Sequence, residues 1–139
     1  LVVGTSAIKN ADWFEATVER FPNRLVLGVD ARDGLVATDG WLETSQTHAV
    51  ELTKRFIDKP LSAIVYTDIA TDGMMQGPNI AAMAEMQRAM GHLSVVASGG
   101  VTTIDDVKRL KDAGLSAAII GRALYEGTID LGEALKVAS

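Results

Sequence analysis

The sequence predicts an α/β fold in which parallel β-strands alternate with α-helices. Short segments rich in β-branched residues recur along the 139-residue chain, and a helical pattern separates each from the next. The apolar character of these segments is nearly continuous, as expected for parallel strands buried on both faces. Such βαβ units wind right-handed into either an open doubly wound sheet or a barrel. The chain is short for a barrel of eight units, which predicts one domain, or part of one, over residues 1–139.

Five segments are predicted as strands, each starting about 24 to 36 residues after the previous one. They are residues 1–5, 25–30, 61–68, 93–98 and 117–121. In both candidate architectures, functional groups collect at the carboxyl ends of such strands. The residues at these strand ends are therefore the first candidates for a site.

Four helices are predicted between the strands, over residues 10–21, 44–56, 79–90 and 103–114. Asn10 is a candidate N-cap for the first, and Pro78 fits the start of the third. Thr103 and Asp106 have the spacing of a capping box at the start of the fourth. Met83, Met86 and Met90 recur at helical spacing, and Trp13 lies within a helical pattern, so all four are predicted to pack in the core.

Composition excludes several classes of function. The formal net charge of −5 argues against a nucleic-acid partner, although a local anion site stays possible. Without cysteine there is no thiolate nucleophile or Cys-based zinc site, and His48 and His92 lack ligand-spaced partners, so no metal is predicted. No apolar run is long enough to cross a bilayer, and a cytoplasmic location is expected. The chain starts at Leu1 rather than methionine, so we expect further residues upstream.

Two glycine-containing strand ends predict a phosphate site. Ser98, Gly99 and Gly100 end one strand just before a capped helix, and the sequence GRAL at 121–124 ends the last strand and begins a short helix. Glycine lets a backbone approach a ligand, and the free N–H groups of a helix start favour an anion. The alternative for each cluster alone is a tight turn. Together they match the phosphate site that barrels form after their last two strands.

Polar side chains mark two further strand ends. Asp30 ends the apolar segment LVLGVD, where a carboxylate could act as a general acid or base. Its alternative role is a turn carboxylate paired with Arg32. Thr67 ends a second apolar segment, and Asp72 with Gly73 follows in a tight turn. The Asp72 carboxylate could face the same edge of the sheet as Asp30, although Asp-Gly is also a common turn pair.

Trp41 lies in the long connection between Asp30 and the helix predicted from Thr44. Long loops in compact domains often form binding lids. The indole could stack on a flat heterocycle or simply anchor the loop, and the sequence leaves both roles open.

These motifs together resemble a known family. The segments LVVGTSA, LVLGVDAR, GW, YTDIATDGMMQGPN, VVASGGV and IIGRALYEG, in this order, are similar to phosphoribosylformimino-5-aminoimidazole carboxamide ribotide isomerase, a βα-barrel enzyme of histidine biosynthesis. The similarity covers essentially the whole chain. It implies the second half of a (βα)8 TIM barrel, from the fourth strand to the last helix, as a partial barrel of about five strands and their helices.

The resemblance also implies a substrate with two phosphates, one held by each half of the barrel. One would be held mainly by backbone N–H groups at Gly99, Gly100, Gly121 and Arg122, and Ser98 and Gly73 belong to the same predicted binding set. Gly4 and Thr5, at the end of the first segment, would form part of the other site.

The family reaction is an Amadori rearrangement of an aminoaldose to an aminoketose, without metal or organic cofactor. The resemblance assigns the general acid to Asp30, supporting roles in substrate positioning to Thr67 and Asp72, and contact with the aminoimidazole to Trp41. The second catalytic aspartate of the family lies on a first strand that this sequence does not contain. We therefore expect little or no isomerase activity from these residues alone, and a need for an N-terminal half-barrel or self-association to cover the exposed strand edges.

Four alternatives stay open at this point. The cyclase subunit of the same pathway shares several strand ends, but GW and GRALYEG favour the isomerase. A bifunctional isomerase that also serves tryptophan synthesis carries an arginine where this sequence has Asp39. Flavin-dependent barrel oxidoreductases use similar phosphate turns and belong to a different enzyme class, and a noncatalytic half-barrel scaffold is the last alternative.

Overall fold

The computed structural model describes residues 1–139 as one open seven-stranded sheet with helices. The strands are β1 (Val2–Val3), β2 (Val26–Arg32), β3 (Leu35–Thr38), β4 (Glu43–His48), β5 (Ala63–Asp68), β6 (Val95–Ser98) and β7 (Ala117–Ala118). The helices are α1 (Thr5–Lys9), α2 (Ala11–Arg20), α3 (Ala49–Lys54), α4 (Ile80–Met90), α5 (Ile104–Asp112), α6 (Arg122–Tyr125) and α7 (Leu131–Ala138). No helix has the length and apolar character needed to cross a bilayer.

The parallel α/β prediction is confirmed by the strand pairing. β2, β5, β6 and β7 pair in parallel in that order, and β1 pairs in parallel with the outer edge of β2. The sheet does not close on itself, which is consistent with a partial barrel. Both end strands of this parallel set, β1 and β7, are only two residues long, shorter than the segments predicted from the sequence, and Thr5 already belongs to α1.

The predicted helix over 44–56 is wrong in its first half. β3 and β4 form an antiparallel extension on β2, so residues 44–48 are a strand and α3 begins only at Ala49. Asp33 and Gly34 adopt φ of 52° and 78°, which reverses the chain tightly enough for Leu35 to pair with Arg32. The long connection expected between the predicted strand at 25–30 and its helix is therefore mostly ordered strand.

The two faces of the parallel sheet differ in burial. Leu27, Ile64 and Val95 lie on one face and are fully buried in a core of 26 residues beneath the helices. The opposite face carries Val65 and Val96, which are aligned in register and only half-buried. One face of the sheet is therefore fully buried beneath the helices, and the other is an apolar surface that is partly exposed to solvent.

The structure tests the packing predictions one by one. Met83, Met86 and Met90 are fully buried, as predicted. Trp13 is 49% exposed, so its assignment to the core is wrong, because the adjacent Phe14 takes the buried position and packs edge-on against Phe56 with ring centroids 5.4 Å apart.

Helix starts are confirmed where a side chain caps the backbone. Asn79 accepts a hydrogen bond from the Ala82 N–H, and Thr103 with Asp106 forms a complete capping box. Asn10 precedes α2 as predicted, but its side chain accepts no capping hydrogen bond.

Candidate active site

Three predicted polar residues lie side by side at the carboxyl ends of neighbouring strands. Asp30 of β2 is aligned with Thr67 of β5, which in turn is aligned with Ser98 of β6. Aligned residues of parallel strands point to the same face, and strands lie about 4.8 Å apart, so this row spans about 10 Å. The row therefore connects the candidate acid to the candidate phosphate turn on the open face of the sheet.

A cavity of about 280 Å³ lies at the phosphate end of this row. Its walls include seven of the predicted site residues: Asp72, Gly73, Ser98, Gly99, Gly100, Gly121 and Arg122. The two glycine turns and the Asp-Gly turn, which are far apart in sequence, therefore meet around one space. The cavity is large enough for a phosphate group and part of a sugar.

Gly99 and Gly100 are required by close backbone packing. Both have positive φ, and a Cβ on Gly99 would lie 2.6 Å from the Asp68 carbonyl oxygen. A Cβ on Gly100 would lie 2.5 Å from the Gly77 carbonyl oxygen. The need for two glycines is thus explained by close packing against the neighbouring β5–α4 loop, as the tight-turn alternative predicts. The 280 Å³ cavity lies beside them.

Arg122 contributes a structural contact at the edge of this cavity. Its Nη1 donates to the Gly73 carbonyl oxygen at 2.8 Å, and its Nε donates to Glu126 at 3.1 Å. The guanidinium thus holds the tip of the β5–α4 loop against α6. A phosphate here would meet the start of α6 and an arginine whose donors are partly engaged.

The candidate acid already has a hydrogen-bond partner. The Trp41 indole N–H donates to an Asp30 carboxylate oxygen at 2.7 Å. No ion pair joins Asp30 to Arg32, so the structure does not support the turn-carboxylate alternative. Trp41 is 40% exposed, so part of the indole is accessible to solvent beside Asp30.

The loop that carries Trp41 is fixed to α1 by polar contacts. The Asp39 carboxylate accepts a hydrogen bond from Lys9 Nζ at 2.8 Å, and the Asp39 N–H donates to Thr5 Oγ1 at 3.3 Å. The Lys9 ammonium lowers the pKa of the Asp39 carboxyl, and the carboxylate raises the pKa of Lys9 in return. Thr5, predicted as a ligand group, thus also supports the tryptophan loop.

The sequence is similar to a known protein family over most of its length. The model of a family described as "Histidine biosynthesis protein" matches residues 1–130. This chain belongs to the histidine biosynthesis protein family. The family assignment confirms the resemblance seen in the separated motifs.

Relatives in the histidine biosynthesis protein family are about half identical to the chain. Those from Rhodopirellula baltica (52% identical over 140 positions) and Chromohalobacter salexigens (53% over 140) each align with 99% of this chain, and the one from Hahella chejuensis (51% over 137) aligns with 96%. All three are named 1-(5-phosphoribosyl)-5-((5-phosphoribosylamino)methylideneamino) imidazole-4-carboxamide isomerase. The chain spans 55%, 56% and 56% of their lengths, respectively.

The second predicted phosphate site in this family member is separate from the first. Gly4 follows β1 and precedes α1, and Thr5 lines an open surface crevice of about 540 Å³ together with Lys9 and Asp39. This crevice shares no lining residue with the 280 Å³ cavity. The residues predicted as ligands are therefore grouped at two places on the same rim.

Sequence reasoning missed several residues that shape the site. Asp68 and Asn79 hold the β5–α4 loop, and Lys9 fixes the tryptophan loop. Asp68 left a signal, because a carboxylate at the end of an apolar strand needs hydrogen-bond donors when buried. Lys9 left none, since its partner lies 30 residues away. The structure contains no group of three or more His, Asp or Glu side chains arranged to hold a metal ion.

Proposed function

We propose that this chain is the C-terminal part of an isomerase that converts a bis-phosphorylated aminoimidazole carboxamide ribotide from aminoaldose to aminoketose. The observation that best supports this function is the row of Asp30, Thr67 and Ser98, which leads from a carboxylate to the cavity between the glycine turns. The names of the relatives favour this activity over that of the cyclase subunit or a flavin enzyme.

In this proposal, each group has a chemical task. Asp30 donates a proton to the ribose ring oxygen as the bond from C1 to that oxygen breaks, and Thr67 and Asp72 orient the sugar. The C2 proton then goes to a general base, a role that the resemblance gives to an aspartate outside these residues, and protonation at C1 completes the ketose. Backbone N–H groups at Gly99, Gly100 and Gly121 bind one phosphate. Trp41 contacts the aminoimidazole with the exposed part of its indole while its N–H orients the acid. No metal or organic cofactor takes part.

The general acid is tested by Asp30→Asn in the complete gene product. We expect turnover to fall by about 10²–10⁴-fold, because proton donation is lost while the side-chain shape is kept. Substrate binding, measured by titration calorimetry, should change little. Asp33→Asn is the matched control, since Asp33 is an exposed turn carboxylate and asparagine tolerates its φ of 52°. Full activity of Asp30→Asn would refute the acid assignment, and an inactive wild-type protein would refute the function.

The open sheet face requires a covering partner in this proposal. Val65 and Val96 are half-buried, and the short edge strand β7 has no neighbour on its outer side. We propose that residues 1–139 are the second half of a βα barrel and that an N-terminal half-barrel, or a second copy of the chain, covers this face. The chain by itself then has little isomerase activity, and its location is the cytoplasm.

Size-exclusion chromatography with light scattering tests the covering of the open face. We expect the 139-residue chain to self-associate when expressed alone. Val65→Thr with Val96→Thr should reduce that association, because it makes the open face polar at nearly constant volume. A well-folded monomer of the unmodified chain would contradict the proposal.

A further inference from the structure

Asp68 is a buried carboxylate next to the candidate site. It follows Thr67 directly in β5, and because successive strand residues point to opposite faces, it points toward the helices rather than the open face. Asp68 is only 5% exposed. A buried carboxylate is costly unless it accepts hydrogen bonds, so its partners indicate what it holds in place.

The Asp68 side chain joins the end of β5 to the start of α4. One carboxylate oxygen accepts from Asn79 Nδ2 at 2.7 Å, and the other accepts from the Ala70 N–H at 2.9 Å. The Asn79 side-chain oxygen meanwhile accepts from the Ala82 N–H at 3.2 Å and caps α4. Both ends of the intervening loop are thus fixed by one pair of side chains.

The Asp68 backbone sets the position of Asp72 and of the glycine turn. Its carbonyl oxygen accepts from the Asp72 N–H at 3.1 Å, which makes a single helical turn. The same oxygen lies 2.6 Å from the point where a Gly99 Cβ would be, so the loop and the glycine turn are in direct contact. Any shift of Asp68 therefore moves both the Asp72 carboxylate and one wall of the cavity.

We propose that Asp68 is a positioning residue for the reaction: through Asn79 and Ala70 it holds the β5–α4 loop so that Asp72 and the Gly99 turn face the substrate. Asp68 itself touches no substrate. The catalytic consequence rests on the proposed isomerase function, whereas the effect on loop order does not.

A reciprocal exchange tests this role. In Asp68→Asn, the side chain has only one acceptor oxygen, so it loses either the contact with Asn79 Nδ2 or the contact with the Ala70 N–H. In the double variant with Asn79→Asp, the amide at 68 can donate to the carboxylate at 79, and aspartate is as good an N-cap for α4 as asparagine. The double variant thus restores the contact with donor and acceptor exchanged.

In the complete gene product, we expect Asp68→Asn to lower kcat on the order of 100-fold, with a smaller rise in KM, because small displacements of positioned groups have effects of that size. The exchanged pair should recover kcat to within about threefold of wild type. Asp58→Asn, an exposed carboxylate after α3, is the matched control and should be unchanged. Wild-type kcat in Asp68→Asn, or an exchanged pair no better than the single variant, would overturn the proposal.

Two further measurements keep the test decisive. If Asp68→Asn fails to fold, Asn79→Asp keeps an N-cap acceptor but has no donor for Asp68, and it should show the same kcat loss with α4 intact. Amide hydrogen exchange of residues 69–77 reports the loop directly, and it should be faster in Asp68→Asn and slow again in the exchanged pair. Unchanged exchange would refute the positioning role. Restored loop protection in a protein without isomerase activity would refute only the proposed function.

Discussion

The two ends of the Asp30–Thr67–Ser98 row are built differently. At the phosphate end, backbone packs on backbone, because Gly99 and Gly100 leave no space beside the β5–α4 loop. At the acid end, the Trp41 loop is fixed by side-chain contacts to Asp30, Lys9 and Thr5. Packed backbone can shift only by disturbing its neighbours, whereas side-chain hydrogen bonds at a surface can exchange with water. We infer a rigid phosphate end and an acid end that can open.

Replacing one glycine by alanine at each end should give the largest difference between the two ends, measured as the loss in the free energy of unfolding. Gly99→Ala places a Cβ 2.6 Å from a backbone oxygen at positive φ, so we expect a loss of about 2–4 kcal/mol in the free energy of unfolding. Gly40→Ala also has positive φ but meets nothing within 4 Å, so only the backbone strain of about 1–2 kcal/mol applies. Urea unfolding measures both. Equal losses would show that the phosphate end is not tightly packed.

The helix-side face of β5, opposite the row, can be tested by pH. Burial raises the pKa of Tyr66 to about 12, with smaller contributions from Asp68 and Glu85. A raised phenol pKa means that the folded state favours the neutral form, so this stabilisation is complete below about pH 10 and is lost as the pH rises toward 12. In a Tyr125→Phe background Tyr66 is the only tyrosine, and its tyrosinate absorbance should appear near pH 12. Titration near pH 10 in the folded protein would contradict the burial of Tyr66 on this face.

The smallest expected effect is at the acid end, where Lys9→Met should make Trp41 more accessible to a quencher. Loss of the Lys9–Asp39 contact should let the tryptophan loop open without unfolding the chain. In a Trp13→Phe background Trp41 is the only tryptophan, and its fluorescence should be quenched more readily by acrylamide. Lys59→Met, which removes a charge paired with Glu19 on α2, should leave the quenching unchanged. Equal quenching in all three proteins would mean that Lys9 does not hold the loop.

The sequence predicted those parts of the fold that depend on local pattern. Buried parallel strands, the capping box at Thr103 and the methionine face of α4 all follow from residue type and spacing. The extension of β3 and β4 was missed, because its pairing depends on a turn at Asp33 and Gly34 in residues that also suit a loop. Trp13 was misassigned because a helical pattern does not say which of two adjacent aromatic residues faces the core.

For the candidate site, the sequence indicated the residues but not their contacts. The cavity residues could be grouped because strand ends share one edge of a sheet. The Trp41–Asp30 and Lys9–Asp39 contacts depend on how separate elements pack, and no local pattern records that. The backbone approach that requires Gly99 is equally invisible until the loop before α4 is placed beside it.

The alternation of Thr67 and Asp68 makes the length of β5 as important as its composition. Deleting a single residue earlier in that strand would rotate the hydroxyl into the helix layer and turn the carboxylate toward the open face. Insertions and deletions should therefore be tolerated in the connections at either end of β5 far better than within it. We expect homologous enzymes that differ in chemistry to vary the residue types of this strand while keeping the same number of residues in it.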